Sequence, residues 1–153
     1  MPTITTSIEI NKPLQQVSDF FYDFANHATW DPFVQHIKNI TAEQESRTTN
    51  KPGDTLNVTI VPPQGQKQEF VPIILETSPT IFLWKGTLLS DYVFVGRHKF
   101  EFKAIDDNKT IVYQSEDFSG LLATPLLYFV GENTKAGFIT LNEALKEQLE
   151  KSP

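Results

Sequence analysis

The chain has 153 residues, with 13 Lys and Arg against 19 Asp and Glu, a net charge of −6 at pH 7, and no cysteine. Without cysteine it has no disulfide framework, no thiolate nucleophile and no cysteine-ligated zinc site. The acidic balance, with no basic stripe, excludes nucleic acid and anionic membrane surfaces as partners.

The chain begins with the pattern of a strand followed by helices. Alternating isoleucines predict a strand over Thr3–Ile10. Asn11 and Pro13 then signal the start of a helix. Its apolar stripe consists of Leu14, Val17, Phe20, Phe21 and Phe24. Residues 30–33 (Trp-Asp-Pro-Phe) predict a second short helical segment or a turn.

The middle of the chain alternates as strands do. Six strands are predicted, over residues 36–47, 54–61, 67–77, 80–89, 96–105 and 110–119. The breaks between them carry glycine, proline, asparagine and aspartate, which favour tight turns. Short connections make consecutive strands antiparallel neighbours, so we predict a meander with the first strand added at an edge.

The last segment predicts a long amphipathic helix. Its buried stripe steps by three and four residues through Val130, Thr134, Phe138, Leu141, Leu145 and Leu149. Before it, the apolar segment 120–127 contains Pro125, which would break or kink a helix. This segment is either a mobile flap or a packed connector. The element order is that of an α+β fold, whose curved sheet leaves an interior pocket unless side chains fill it.

The predicted hairpin of residues 96–119 carries the strongest functional signal. Counting back from a three-residue turn, 106–108, places His98 opposite Glu116 and Phe100 opposite Gln114. Polar groups that enter an apolar interior need partners. The pair is expected to bind a ligand's hydroxyl or carbonyl, to act as general acid and base, or to satisfy each other with water.

Aromatic side chains at segment ends and in loops suggest the wall of a pocket. Together with the hairpin residues, the predicted ligand-binding set is Trp30, Phe33, Phe70, Trp84, His98, Phe100, Gln114, Glu116, Phe118 and Phe138. No confident catalytic residue emerges, and His98 and Glu116 are the candidates. The three histidines lack metal-ligand spacing and no phosphate-binding loop occurs, so neither a metal nor a cofactor is expected.

Features spread along the chain form a family pattern. They are the opening residues 8–13, the turn at 30–33, Pro52-Gly53-Asp54, Trp84, His98-x-Phe100-x-Phe102, Glu116-x-Phe118-x-Gly120 and the helix over 134–145. In this pattern the chain resembles the START-like (SRPBCC) superfamily, which includes polyketide cyclases/dehydrases and lipid-transport proteins, and specifically its small stand-alone bacterial members.

The resemblance implies a helix-grip fold over residues 1–153. A curved seven-stranded antiparallel sheet would wrap around the C-terminal helix, with two short helices between the first and second strands. The resemblance also implies an interior cavity for an apolar or amphipathic small molecule. The superfamily has no universal catalytic set, so its fold does not settle a function.

Three functions follow as hypotheses. The first is a carrier or sensor that binds a hydrophobic small molecule, such as a lipid or an aromatic, polyketide-like compound. The second is a cyclase- or dehydratase-like enzyme with His98 and Glu116 as acid and base. The third is a protein-binding module like the co-chaperone branch. The residues favour binding over catalysis without deciding between them.

The sequence also predicts where the protein acts and in what form. The first residues lack the positive region and apolar stretch of a signal peptide. The most apolar segment, 120–131, is shorter than the roughly 20 residues of a membrane helix. We therefore expect a cytoplasmic protein without membrane insertion. An exposed edge strand allows either a monomer or a homodimer.

Overall fold

The structure, a computed structural model, describes residues 2–151. A long C-terminal helix packs against curved antiparallel sheet, as the α+β prediction requires. The elements in chain order are β1 Thr3–Ile10, α1 Leu14–Tyr22, a 3-10 turn Phe24–Asn26, α2 His27–Trp30, β2 Val34–Asn39, α3 Ile40–Gln44, β3 Leu56–Ile60, β4 Gln68–Phe70, β5 Ile73–Thr77, β6 Ile81–Leu88, β7 Phe94–Asp106, β8 Lys109–Ser119 and α4 Ala123–Lys151. No helix in this part of the chain has the length and apolar character that crossing a membrane requires.

The strands form two antiparallel sheets, with the orders β1-β8-β7-β6-β5 and β2-β3-β4. The prediction of seven strands in one sheet is therefore wrong, because the strand predicted over 67–77 is divided into β4 and β5. Pro72 stands between them and lacks the N–H that a continuous ladder needs. Hydrogen bonds from the Leu56 N–H to the Pro72 carbonyl (2.9 Å) and from the Ile74 N–H to the Asp54 carbonyl (2.8 Å) join the sheets across this break.

The strand predicted over 36–47 is also wrong in its second half. It ends at Asn39, after which the chain forms α3. The Asn39 side chain caps this helix by accepting a hydrogen bond from the Ala42 N–H at 2.9 Å. Asparagine is a favoured helix cap, and here the capping interaction outweighs the strand-like alternation of the sequence.

Aromatic rings fill the space between α1 and the middle strands. Phe21 of α1 is 1% exposed, and its ring centroid lies 4.6–5.8 Å from those of Phe82, Phe100 and Phe102. Edge-on and tilted ring pairs of this kind each stabilise the fold by about 0.5–1.5 kcal/mol, in addition to the stabilisation from burying the apolar area of the rings. The apolar stripe of α1 therefore packs into the core as predicted.

The two halves of α4 differ in burial. The C-terminal half buries the predicted residues Phe138, Leu141, Leu145 and Leu149. The N-terminal half buries no residue between Ala123 and Gly137. Val130, which was predicted to belong to the buried stripe, is 50% exposed. The prediction is wrong there because an open space separates this half of α4 from β1.

The segment before this helix is a short connector. Gly120 has a φ of +101°, the left-handed conformation that favours glycine. The N–H groups of Leu121 and Leu122 donate to carbonyls of the β6–β7 loop at 3.0 and 2.9 Å. Pro125 lies in the first turn of α4, where its missing N–H has no partner to lose. The expected kink is therefore absent, and the structure favours the connector over the flap.

The connector, the β6–β7 loop and the start of α4 present an apolar rim at one end of the molecule. We define it as the large apolar or aromatic side chains there that are at least 80% exposed. They are Leu89 (86%), Tyr92 (85%), Leu121 (83%), Tyr128 (85%) and Phe129 (80%).

Candidate functional site

The β7–β8 hairpin has the predicted register around the candidate site. His98 pairs with Glu116, and Phe100 pairs with Gln114. The turn itself has two residues instead of the predicted three, and a bulge at Ile105 supplies the missing position. Because the bulge compensates for the shorter turn, the residues predicted to point inward, from His98 to Phe102, still do so.

His98 lies between aromatic rings on the inner face of the sheet. Its imidazole stacks on Phe100 (centroids 4.6 Å apart, 20° between planes) and on Phe138 of α4 (4.5 Å, 23°). Trp84 of β6 meets the imidazole edge-on at 5.2 Å. The residue is 3% exposed. Burial lowers the pKa of His98 to about 3, so the imidazole is neutral at physiological pH.

A buried chain of hydrogen bonds runs from His98 to β1. The Gln114 Oε1 lies 2.9 Å from His98 Nε2. The Gln114 Nε2 donates to the Phe138 carbonyl (3.1 Å) and to Asn142 Oδ1 (2.8 Å). The Asn142 Nδ2 donates to Thr6 Oγ1 at 2.9 Å, and the Thr6 hydroxyl donates to the Gln114 carbonyl at 3.1 Å. The side-chain polar groups of Gln114, Asn142 and Thr6 and the Nε2 of His98 therefore all have partners, as burial requires.

The sequence analysis missed Asn142 and Thr6. The sequence pattern does mark both residues as candidates, since each is a polar residue on a face that is otherwise apolar. Asn142 follows Phe138 by four residues on the buried side of α4, and Thr6 alternates with the isoleucines of β1. Their mutual contact joins residues 136 positions apart, which local patterns do not predict.

Glu116 lies beside the other ring nitrogen of His98. Its Oε1 is 4.0 Å from His98 Nδ1, and its side chain is 17% exposed. The carboxyl group folds over Gly96 so closely that a Cβ at that position would overlap it. Burial, reinforced by the neighbouring Asp117, raises the pKa of Glu116 to about 8. At neutral pH the group is therefore mainly a carboxylic acid with an O–H to donate.

The structure brings most of the predicted aromatic residues together around this pair. Trp84, Phe100 and Phe138 contact His98, and the Phe118 ring lies against Gly96 beneath the Glu116 carboxyl. Two more form an outer layer, with Phe70 6.1 Å from Trp84 and Phe33 5.8 Å from Phe138.

Trp30 belongs to the same buried core but has no ring contact with His98. Among the described residues, its ring contacts are with Phe20 (5.3 Å) and His27 (4.8 Å). His27 was not predicted as a site residue, and it contacts the Asp31 carboxylate at 3.0 Å and the Phe21 carbonyl at 2.6 Å. These contacts join α1, α2 and the turn before β2, so they close that end of the core.

Open space lies outside the aromatic cluster. A hollow of ≈ 490 Å³ separates β1 from the N-terminal half of α4, with Thr5, Leu127 and Tyr128 in its wall. A second hollow of ≈ 410 Å³ lies between α2 and β2. His98 lines neither of them. Within residues 2–151, no three His, Asp or Glu side chains converge as a metal site would require.

Three solved structures share this fold. The aromatase/cyclase Zhui from Streptomyces sp. R1128 has a TM-score of 0.71 at 11% identity, covering 98% of this chain and 94% of its own. A START superfamily protein from Mycobacterium smegmatis has a TM-score of 0.69 at 13% identity, covering 96% and 98%. Norcoclaurine synthase from Thalictrum flavum has a TM-score of 0.70 at 10% identity, covering 99% and 96%.

Comparison with curated protein sequences finds no match. The family model described as "Polyketide cyclase / dehydrase and lipid transport" matches residues 1–150. This match covers every strand and all but the last residue of α4, and it agrees with the resemblance read from the sequence. The chain therefore belongs to the polyketide cyclase / dehydrase and lipid transport family.

Proposed function

We propose that the chain is a single ligand-binding domain that holds an uncharged, hydrophobic or amphipathic small molecule, such as a lipid or an aromatic, polyketide-like compound. One observation carries the proposal. The His98 Nδ1 and the Glu116 carboxyl group have no hydrogen-bond partner. In residues 2–151, Trp30 Nε1 is the only side-chain nitrogen or oxygen that is both fully buried and without a hydrogen-bond partner, so the two site groups are not fully buried. Both site groups therefore remain accessible at the edge of an aromatic interior.

The inner face of the sheet next to this pair suits an apolar body. Gly86 and Gly96 pair directly across β6 and β7, so two neighbouring positions on this face carry no side chain. Phe70 packs over Gly86, and the ring of the half-buried Phe94 contacts that of Phe118 in a tilted arrangement, with centroids 5.7 Å apart. Burial of apolar ligand surface against such walls contributes about 25 cal/mol per Å² before the cost of association.

The family and its structural neighbours support the same class of ligand. The family description names polyketide cyclases, dehydrases and lipid transport, and one neighbour is an aromatase/cyclase. All these names concern small molecules with large apolar parts. Such a ligand would lie against Phe70, Phe94 and Phe118, with its polar group at His98 and Glu116.

Binding of the neutral fluorophore N-phenyl-1-naphthylamine tests the proposal, together with native mass spectrometry of purified protein for co-purifying compounds. Gly86→Leu places a side chain where the apolar body would lie, so it should abolish fluorophore binding. The control is Gly131→Leu, which fills the outer hollow between β1 and α4 instead. Absence of any bound compound, or loss of binding in Gly131→Leu alone, would show that the proposed site is wrong.

A second candidate function, enolisation of a ketone, is favoured by the position of His98 Nδ1 beside the Glu116 carboxyl group, 4.0 Å away. A neutral His98 Nδ1 can take a proton from the α-carbon while the Glu116 acid gives one to the carbonyl oxygen, which yields the enol. Deuterium exchange at the α-carbon of 2-tetralone, followed by NMR, measures this step. If the wild-type protein exchanged deuterium no faster than the His98→Phe variant, the catalytic role would be excluded.

A further inference from the structure

Building on the proposed function, we propose that His98 and Glu116 form a two-point recognition site for an uncharged hydroxyl group of a phenol, alcohol or enol. The Thr6–Asn142–Gln114 chain of hydrogen bonds positions His98 for this task. His98 and Glu116 would contact the ligand, and the other three residues would act through them.

The Gln114 amide has a fixed orientation. A main-chain carbonyl only accepts hydrogen bonds, so the Gln114 atom that faces the Phe138 carbonyl at 3.1 Å must be its nitrogen. The Gln114 Oε1 then faces His98 Nε2 at 2.9 Å. This oxygen cannot donate, so Nε2 must carry the proton. In a neutral imidazole the other nitrogen, Nδ1, is then an unprotonated acceptor.

Asn142 and Thr6 hold this orientation from the far side. The Thr6 hydroxyl gives its single proton to the Gln114 carbonyl, so its oxygen accepts from Asn142. That contact points the Asn142 amide nitrogen at Thr6 and leaves its Oδ1 for the Gln114 nitrogen at 2.8 Å. Rotation of either amide by 180° would set two acceptors or two donors face to face. The chain therefore has one consistent arrangement.

The gap between His98 Nδ1 and the Glu116 carboxyl group has room for one ligand atom. His98 Nδ1 and Glu116 Oε1 are 4.0 Å apart, too far for a hydrogen bond. An oxygen atom roughly 2.8 Å from each, a normal hydrogen-bond length, would lie about 2 Å to one side of the line that joins them. One ligand oxygen can therefore reach both groups, provided that it donates to Nδ1 and accepts from the Glu116 acid.

Only some functional groups meet both requirements. A hydroxyl has one proton to donate and lone pairs to accept with. A ketone or an ether can accept from Glu116, but its oxygen then meets the lone pair of Nδ1. A carboxylate adds a negative charge beside Asp117 in a partly buried site. An ammonium group donates to Nδ1 but requires Glu116 to ionise against its burial. The geometry therefore selects the hydroxyl.

Four naphthalene compounds with the same apolar body test the selection: 2-naphthol, 2-methoxynaphthalene, 2-naphthoate and 2-naphthylmethylammonium. Calorimetry at neutral pH should show 2-naphthol binding about tenfold more tightly than each of the others, equivalent to about one satisfied hydrogen-bond pair. Equal or tighter binding of any other compound overturns the hydroxyl site. If N-phenyl-1-naphthylamine still binds in that case, the proposed function stands; if nothing binds, both fail.

The positioning role has a readout of its own in the nitrogen-15 signals of the His98 ring. In the wild-type protein Nε2 should be protonated and Nδ1 unprotonated, and the opposite tautomer overturns the proposal without any variant. Asn142→Leu removes one of the two acceptors that orient the Gln114 amide and leaves only the Phe138 carbonyl, so it should mix the tautomers and reduce the preference for 2-naphthol to less than about threefold. Gln148→Leu, another replacement of an amide by leucine, at a half-buried position of α4 outside this hydrogen-bond chain, should retain both the tautomer and the preference. An unchanged tautomer and preference in a folded Asn142→Leu protein would exclude the positioning role.

Discussion

A histidine stacked between two phenylalanine rings has lost most of its water, and this loss favours the uncharged imidazole. His98 meets this condition without an ion pair, because the Gln114 amide satisfies one nitrogen. The same loss of water acts on Glu116 and favours the uncharged acid. The aromatic interior therefore holds two titratable groups that carry no charge at neutral pH, and the large desolvation cost of a buried ion pair does not arise.

The stability of the fold should depend on pH through these two groups. The pKa of His98 falls from 6.5 to about 3, so its contribution to the free energy of unfolding rises with pH across that window. The pKa of Glu116 rises from 4.5 to about 8, so its contribution falls as the pH increases through that window. Above pH 6.5 only the Glu116 contribution still changes. The free energy of unfolding should therefore fall between pH 6.5 and 8, by at most about 1.4 kcal/mol per pH unit.

Urea denaturation at several pH values measures this fall. Glu116→Gln keeps the shape of the side chain but cannot ionise, so it should remove the fall. Glu132→Gln, the same change at an exposed position of α4, should leave the fall in place. A fall of equal size in Glu116→Gln and the wild type would assign it to other groups.

Gly96 should control the environment of the Glu116 carboxyl group. The Cβ of Gly96→Ala would overlap this group, which lies at the end of a flexible side chain and can move toward solvent. We expect the pKa of Glu116 to return toward its usual 4.5, with a change of less than about 1 kcal/mol in stability. Carbon-13 NMR titration of the carboxyl group measures the pKa.

Gly86→Ala is the matched control for this change. It adds the same methyl group at the paired position of β6, where the new atom would only touch the Phe70 ring at 3.6 Å. The pKa of Glu116 should stay near 8 in this variant. If both variants gave the same pKa, the carboxyl group would not depend on the space over Gly96.

At the scale of elements, α4 depends on a glycine for its contact with the turn before β2. The Phe33 ring occupies the space where Gly137 has no side chain, and a Cβ there would overlap the ring. Gly137→Ala should therefore lower the free energy of unfolding by about 1–3 kcal/mol, although alanine favours the helix.

Gly131→Ala, on the same helix, separates the effect of helix propensity from the effect of steric overlap. Its new Cβ would lie 3.7 Å from Leu127, an ordinary contact, so helix propensity should decide the outcome. We expect a gain of about 0.5–1 kcal/mol. Thermal or urea denaturation of both variants provides the comparison, and destabilisation in Gly131→Ala as well would point to a general intolerance of side chains on this face.

The same elements show which parts of the structure the sequence predicts. The pairing of His98 with Glu116 follows from alternation and a short turn, both of which are local. The end of β2 at Asn39 and the break at Pro72 depend on one hydrogen-bonded cap and one missing N–H, and each competes with a strand-like pattern. The contact between Thr6 and Asn142 joins distant elements, so only the folded chain reveals it.

At the scale of the whole molecule, the apolar rim faces solvent although the protein carries a net charge of −6. Its side chains contribute little to folding, because each is at least 80% exposed. Replacing Leu89, Tyr92 and Phe129 by serine should change the free energy of unfolding by less than about 0.5 kcal/mol per site. It should also weaken self-association at high concentration.

Sedimentation velocity over a range of concentrations measures association in the wild type and the triple variant. Thr29→Ser, Lys67→Ser and Asp107→Ser, at exposed positions away from the rim, form the control. A loss of more than about 1 kcal/mol per rim site would mean that another copy covers the rim in the folded protein, which corresponds to the homodimer alternative.

The pairing of β1 with β8 has a consequence for how the chain is made. β8 is the only strand hydrogen-bonded to β1 in the described structure, and the two pair from Thr3 with Asp117 to Ile10 with Thr110. During synthesis β1 must therefore wait until residues 11–119 have been made before its whole partner strand exists. Pairing of strands that are distant in sequence slows folding, because the entropic cost of closing the loop between them comes before the contacts that offset this cost. Until then the isoleucines of β1 remain open to other chains, and this interval is when the nascent protein is most prone to aggregate.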